Sequence, residues 1–90
     1  MDLQRTLQSV GIECFVRYYD LLADDRHSNA EIAERIQSDF NYTSNSCRSR
    51  TSHGRRIIRE GYGRMALQKA VGANIDERYR QIARDLLQRS

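Results

Sequence analysis

The middle of the chain carries six arginines within seventeen residues, from Arg48 to Arg64, and only one acid, Glu60. A guanidinium group stays charged at physiological pH and donates paired hydrogen bonds that match a phosphate or a guanine edge. Because like charges repel one another, folding alone gives no reason to concentrate so many of them. This composition favours contact with a nucleic acid, and the alternative is a solvated face of a basic protein.

The same segment predicts an amphipathic helix over residues 44–60. Thr43 or Ser44 can cap its first turn, and Gly61 can end it in the left-handed conformation that glycine tolerates. At about 100° per residue, one narrow face collects small or apolar residues and is expected to lie inward: Cys47, Thr51, Gly54 and Ile58. The opposite face collects polar and basic residues: Asn45, Arg48, Ser49, Ser52, Arg56 and Arg59. A helix that packs closely and offers hydrogen-bond donors to a groove has the profile of a DNA-recognition helix.

Two sets of DNA contacts are predicted from these positions. The residues expected at base edges are Asn45, Arg48, Ser49 and Ser52. The residues expected at the sugar–phosphate backbone are Arg50, Arg55, Arg56, Arg59 and Arg64. Arg50 and Arg55 flank the inward face, so their stems should lie on apolar surface while their guanidinium groups reach outward. Neutralising about four phosphates would make the logarithm of the DNA-binding constant fall with the logarithm of salt concentration, with a slope of about −3.6.

The net charge of +3 conceals an uneven distribution along the ninety residues. Residues 1–43 carry eight acids and four bases (−4), residues 44–74 seven bases and one acid (+6), and residues 75–90 four bases and three acids (+1). A basic centre between acidic and near-neutral flanks indicates an anionic partner for that centre. Fourteen of the fifteen bases are arginine, which suits bidentate phosphate contact, although a GC-rich genome produces the same bias.

Hydrophobic periodicity predicts helices along the rest of the chain as well, and no segment alternates convincingly with the period of two typical of a strand. The predicted helices span residues 3–22, as one helix or two joined at Gly11; 30–40, opened by a capping box of Ser28 and Glu31; 65–71, ended by Gly72; and 74 onward. Ninety residues make one domain, residues 1–90. The expected fold class is therefore all-α, a small helical domain of four to six helices.

The segment from Ser28 to Gly61, about a third of the chain, resembles a helix-turn-helix. The run SNAEIAERI is similar to the supporting helix, and TSNSCRSRTSHGRRII is similar to the recognition helix, with a connection after Ile36 that is longer than usual. The resemblance implies a sequence-specific DNA-binding protein that inserts residues 44–60 in the major groove of double-stranded DNA. It implies, further, a small transcriptional regulator of bacterial or phage type.

An enzymatic alternative rests on Arg48 and His53, which match the Arg-x4-His pattern of a family of helical ribonucleases. There the histidine serves as acid or base and the arginine steadies phosphate charge. An unbroken helix would set the two side chains about 140° apart, which argues against this chemistry. Cys47 and His53 also lack the paired spacing of a zinc site. We therefore expect no catalytic activity, no metal and no cofactor.

A second functional class is a protein-binding module, such as a small inhibitor or adaptor. Its acidic N-terminal helices would contact a basic partner, and its arginines would contact an acidic one. This possible protein partner would replace DNA as the target.

A homodimer is expected because two apolar rows exceed what a small domain can bury. One row runs from Leu3 to Leu21, and the other consists of Ile75, Tyr79, Ile82 and Leu86, which is favoured as the dimer contact. The sequence shows no signal peptide and no apolar run of bilayer length, so no membrane partner is expected. With Cys14 and Cys47 interpreted as buried small hydrophobes, a cytoplasmic location follows.

Overall fold

A computed structural model describes residues 1–89, which form seven helices and no strand. The helices are α1 (Leu3–Val10), α2 (Ile12–Arg17), α3 (Tyr19–Ala23), α4 (Asn29–Asp39), α5 (Ser44–Arg59), α6 (Gly63–Val71) and α7 (Glu77–Arg89). The all-α fold class is thereby confirmed. The number exceeds four to six because the N-terminal segment, expected as one or two helices, forms three short ones.

The N-terminal segment breaks at Gly11 and again at Tyr18. Gly11 has φ +90°, and a Cβ atom there would lie 2.6 Å from a guanidinium nitrogen of Arg50, so the position suits glycine for two reasons. Tyr18 leaves the helical region, with φ −104° and ψ 15°. Its hydroxyl donates a hydrogen bond of 2.5 Å to the carboxylate of Asp39 at the end of α4. The joint at Gly11 was expected, whereas the one at Tyr18 accompanies a contact between residues distant in sequence.

The centre of the domain is α5, which packs against α1, α3, α4 and α6. Its buried residues are Cys47, Thr51, Gly54 and Ile57. Thr51 satisfies its buried hydroxyl by donating to the carbonyl of Cys47 at 2.8 Å. A Cβ atom at Gly54 would come within 2.9 Å of Leu22, so glycine allows α3 to approach closely.

The prediction that Ile58 lies on the inward face of α5 is wrong, because the fully buried isoleucine is Ile57. Residues three and four positions after Gly54 both lie near its face, and the neighbouring helices decide which of them is covered. Ile58 is half-buried at the edge of the core, where it lines a cleft beside Leu22 and Arg59.

The predicted start of α4 and both predicted ends of α5 are confirmed, whereas α6 begins at Gly63 and α7 at Glu77 instead of residues 65 and 74. Ser28 and Glu31 form the reciprocal capping box of α4, and the Thr43 hydroxyl accepts from Ser46 at the start of α5. Gly61 has φ +87° and follows Glu60, the C-terminal cap residue of α5. The amide of Tyr62 donates to Ile57 and that of Gly61 to Ile58, which together make a Schellman motif.

Both apolar rows that suggested a homodimer are used inside the single chain. In the N-terminal row, Leu21 is half-buried and the others are buried: Leu3, Leu7, Val10, Cys14 and Tyr18. In the C-terminal row, Tyr79 is buried and Ile82 and Leu86 pack against the core, because α7 lies on α6 and α2. Among residues 1–89, the exposed large hydrophobic side chains are Met1 and Met65. The N-terminal row is therefore buried almost completely, whereas Ile75, Ile82 and Leu86 of the C-terminal row remain half-buried.

The two cysteines are free and buried, as expected. Burial raises the pKa of the Cys14 thiol to about 11, so this group stays protonated at neutral pH. Within the described chain, no helix is long and apolar enough to cross a bilayer.

Adjacent isoleucines offer a direct test of how α5 is oriented. Ile57→Ala should lower the free energy of unfolding by about 2–5 kcal/mol, because it leaves a cavity in the core. Ile58→Ala should cost about 1 kcal/mol, because its side chain is already partly solvated. Urea denaturation of the two variants measures both values, and equal losses would show that α5 is rotated from the orientation described.

Asp39 should make the stability of the domain depend on acid. The hydrogen bond from Tyr18, with the guanidinium groups of Arg35 and Arg17 nearby, holds the pKa of this carboxyl below its ordinary value. A lowered folded pKa means that the ion stabilises the fold above the unfolded value of about 3.9, and that this contribution is lost as the pH falls through the folded pKa.

The variant Asp39→Asn should therefore be less stable than the wild type at neutral pH and lose less stability on acidification below about pH 5. Thermal unfolding followed from pH 7 to pH 2 measures both effects. Asp25→Asn, which removes an exposed carboxylate from the turn before α4, is the control. The same acid dependence in both variants would contradict the role given to Asp39.

Candidate nucleic-acid interface

The predicted outward face of α5 is exposed along its whole length. Its six residues are Asn45, Arg48, Ser49, Ser52, Arg56 and Arg59, and all of them are open to solvent. Arg48 and Arg59 stand eleven residues apart, which corresponds to about 16 Å along a helix. The face therefore places hydrogen-bond donors and positive charge along one side of a helix whose other sides are packed.

Most cations of the protein are already engaged by its own atoms. Four of the fifteen arginine and lysine side chains make no hydrogen bond or ion pair within residues 1–89: Arg5, Arg48, Arg59 and Lys69. Two of these four, Arg48 and Arg59, lie on the exposed face of α5. Half of the cations without a partner among residues 1–89 thus lie on this helix.

Arg50 does not reach outward as expected. Its guanidinium donates to the carbonyl of Val10, the last residue of α1, at 2.5 Å and to the Ser46 hydroxyl at 3.0 Å. The same group lies over the ring of Tyr42, 3.9 Å from its centroid. Its charge serves the C-terminal end of α1, where the carbonyls lack helical partners.

Arg55 is also turned inward, against the expectation. One terminal nitrogen donates to the carbonyls of Asp24 at 2.7 Å and His27 at 2.5 Å, and the other donates to the Asn29 side chain at 2.7 Å. Its Nε lies 3.3 Å from the carbonyl of Leu22 in the last turn of α3. A single guanidinium therefore fixes the end of α3, the turn after it and the start of α4.

Two further predicted backbone contacts, Arg64 and Arg56, differ from each other. Arg64, on α6, donates to the carbonyl of Leu87 in the last turn of α7 at 3.1 Å. Arg56 stays on the exposed face, but its Nε donates to the carboxylate of Glu60 at 2.9 Å. Three of the predicted backbone contacts thus donate to a carbonyl at the end of another helix: Arg50, Arg55 and Arg64. For Arg50 and Arg55, the feature of the sequence that could have indicated an internal contact is their position beside the inward face of α5.

The connection between α4 and α5 is held by stacked side chains. Phe40 and Tyr42 stack with ring centroids 5.2 Å apart, Arg50 covers Tyr42, and Arg17 lies 5.0 Å from the centroid of Phe40. These contacts order the four-residue connection 40–43 without a glycine turn. They also fix where the first turns of α5, with Arg48, emerge beside α4.

The catalytic and metal-binding alternatives concern Arg48, His53 and Cys47, which all lie on α5. Arg48 and His53 lie on one uninterrupted helix, with Arg48 exposed and His53 half-buried, so their side chains diverge by about 140°. No group of three or more potential metal-binding side chains occurs within residues 1–89. The exposed face of α5 is thus suited to binding by hydrogen bonds and charge.

Substitution by lysine should affect the free energy of unfolding differently at Arg55, which contacts its own chain, and at Arg56, which is exposed. Lysine keeps the charge but cannot reproduce the planar fork that reaches several carbonyls, so Arg55→Lys should lower the free energy of unfolding by about 2 kcal/mol. Arg56→Lys, one residue further, should change it by less than about 0.5 kcal/mol. Denaturant unfolding, with amide exchange of residues 24–28, provides the measurement. Equal stability of both variants would mean that the contacts of Arg55 do not hold the turn.

Comparisons of the chain with protein-family models, curated proteins and solved structures give no match. The function is therefore inferred from the residues and geometry of this chain alone.

Proposed function

We propose that this protein binds double-stranded DNA in a sequence-specific manner, with α5 in the major groove and α4, residues 40–43 and α5 acting as a helix-turn-helix unit. The observation that carries the proposal is the exposed face of α5. It bears two arginines without an internal partner among residues 1–89, Arg48 and Arg59, and short polar side chains between them. A groove about 12 Å wide admits a single α-helix, and these donors can then reach base edges and phosphates.

The proposal divides the exposed face of α5 into two parts. The first three turns would read base edges through Asn45, Arg48, Ser49 and Ser52. The last turn would bind phosphates through Arg59, with Arg56 beside it. We no longer assign phosphate contacts to Arg50, Arg55 and Arg64, because their guanidinium groups donate to carbonyls of their own chain. With two phosphate contacts in place of four, the expected slope of the logarithm of the binding constant against the logarithm of salt concentration becomes shallower, from about −3.6 to about −1.8.

The alternative of a protein-binding module has less support on its acidic side than the acid content of residues 1–43 suggests. Five of the eight acids in residues 1–43 are engaged with described residues, in helix caps or ion pairs: Asp2, Asp20, Asp24, Glu31 and Asp39. The other three, Glu13, Asp25 and Glu34, lie on α2, on the turn before α4 and on α4. Scattered single carboxylates are a poor surface for a basic partner.

We favour duplex DNA over duplex RNA as the partner because of the shape of α5. The bases of an A-form helix face a major groove too deep and narrow for side chains to read. An exposed helix with short polar residues fits the wider groove of B-form DNA. A protein that occupies such a site excludes others from it, so we propose a role in transcriptional regulation.

We leave the homodimer out of the proposal. It was expected from apolar surface left unburied, and most of that surface among residues 1–89 packs against the core of the same chain. A second copy would still double the phosphate contacts, so homodimerisation stays a prediction to which no surface is assigned.

Two arginines on the same face should respond differently to truncation. After selection of a preferred duplex from a random pool, Arg48→Ala should cost about 1–3 kcal/mol of binding free energy on that duplex and less on a random one. Arg59→Ala should weaken both duplexes by the same factor, because phosphates carry no sequence information. Fluorescence anisotropy with labelled duplexes, at several salt concentrations, measures these changes.

Two results would count against the proposal. If the wild-type protein binds no mixed-sequence duplex even at low salt, DNA is not its partner. If both variants lose the same factor on preferred and random duplexes, α5 binds the backbone without reading bases. A duplex RNA of the same sequence serves as competitor, and preferential binding to it would overturn the choice of DNA.

A further inference from the structure

The exposed face of α5 contains one ion pair, between Arg56 and Glu60. The Nε of Arg56 donates to Oε2 of Glu60 at 2.9 Å, and both side chains are substantially exposed, at 51% and 40%. Glu60 is the only acid among residues 44–74 and the C-terminal cap residue of α5. A negative charge therefore lies next to the arginines that are proposed to meet phosphate.

Folding gains little from a carboxylate at this position. The C-terminal end of a helix carries partial negative charge, which disfavours an acid there. In pairs spaced by four residues, the acid is better placed N-terminal to the base, and here the order is reversed. Because the pair is also exposed, its net contribution to stability is small. The reason for Glu60 is more readily found in binding than in folding.

Glu60 would also oppose any phosphate that approaches Arg56. To contact that phosphate, Arg56 must give up its hydrogen bond with the carboxylate, and Glu60 must turn away from the incoming negative charge. Arg59, one turn from Arg56 on the same face, has no such partner among residues 1–89 and can bind phosphate without a competing contact. The two arginines are therefore unequal as phosphate ligands.

We propose that Glu60 increases specificity by holding Arg56 away from phosphate on random DNA. On the preferred site, base contacts by the first turns of α5 seat the helix deeply enough for Arg56 to exchange Glu60 for a phosphate. On random DNA these base contacts are absent and the exchange does not occur. This inference rests on the proposed DNA-binding function and assigns Glu60 a role in it that does not require contact with a base.

The salt dependence of binding to random duplex tests this role in a double-mutant cycle. On random duplex Arg48 has no preferred base to read, so Arg48 and Arg59 should both contact phosphates in the wild type, with a slope of about −1.8. Arg56→Ala should leave that slope unchanged. Glu60→Gln should release Arg56, steepen the slope to about −2.7 and raise affinity at least about threefold at 0.1 M salt. Adding Arg56→Ala to Glu60→Gln should restore the wild-type slope.

Glu13→Gln on α2 is the matched control, because it removes the same charge from an exposed position on another helix. If it steepens the slope as much as Glu60→Gln does, net charge alone is responsible and the inference is overturned. A shallower slope for Arg56→Ala in the wild-type background would also overturn it, since Arg56 would already be binding phosphate.

Two further measurements separate the possible failures. The thermal midpoint of Glu60→Gln should equal or exceed that of the wild type, and a marked decrease would assign Glu60 to folding instead. Absence of duplex binding by the wild type and all variants would overturn the proposed function and this inference with it. Binding by the wild type with no difference between Glu60→Gln and its control overturns the inference alone.

Discussion

The guanidinium of Arg55 holds together a turn that contains no buried residue of its own. The turn after α3 offers carbonyl groups with no helical partner, and a domain of ninety residues has little other structure to cover them. Arg55 donates to Asp24 and His27 in this turn and to Asn29 at the start of α4. The placement of α3 and α4 on α5 therefore depends on a charged side chain as well as on apolar burial.

Arg50 and Arg64 repeat the same arrangement at the ends of α1 and α7. Each places a positive charge at the negative end of another helix and donates to a carbonyl there. Half of the six arginines in the basic segment are thus part of the fold, and the other half lie on the open face of α5. A single stretch of sequence thus supplies both internal and exposed arginines, which residue type alone does not distinguish.

Local features of the fold could be predicted from the sequence, and features that depend on distant contacts could not. The capping box at Ser28 and the glycine stop at Gly61 involve residues within a few positions of each other, so their types were sufficient. The outward face of α5 followed from helical periodicity in the same way.

The features that could not be predicted depend on residues far apart in sequence. The partner of Arg50 is forty residues away, and those of Arg55 include residues 28 and 31 positions away, so only the fold brings them together. The choice between Ile57 and Ile58 was open for the same reason, because it depends on which neighbouring helix covers each side chain. The packing of α7 on α6 and α2 belongs to this class too.

The enclosure of α5 by four other helices has a consequence for the thermodynamics of any complex it forms. A recognition segment that folds on contact loses backbone conformational entropy in the process, which subtracts from its affinity. Here the backbone is ordered beforehand, so only the rotamers of a few long side chains are immobilised. The enthalpy of a small set of polar contacts can then appear almost undiminished in the affinity, and the heat-capacity change on association should be small because little apolar surface is covered.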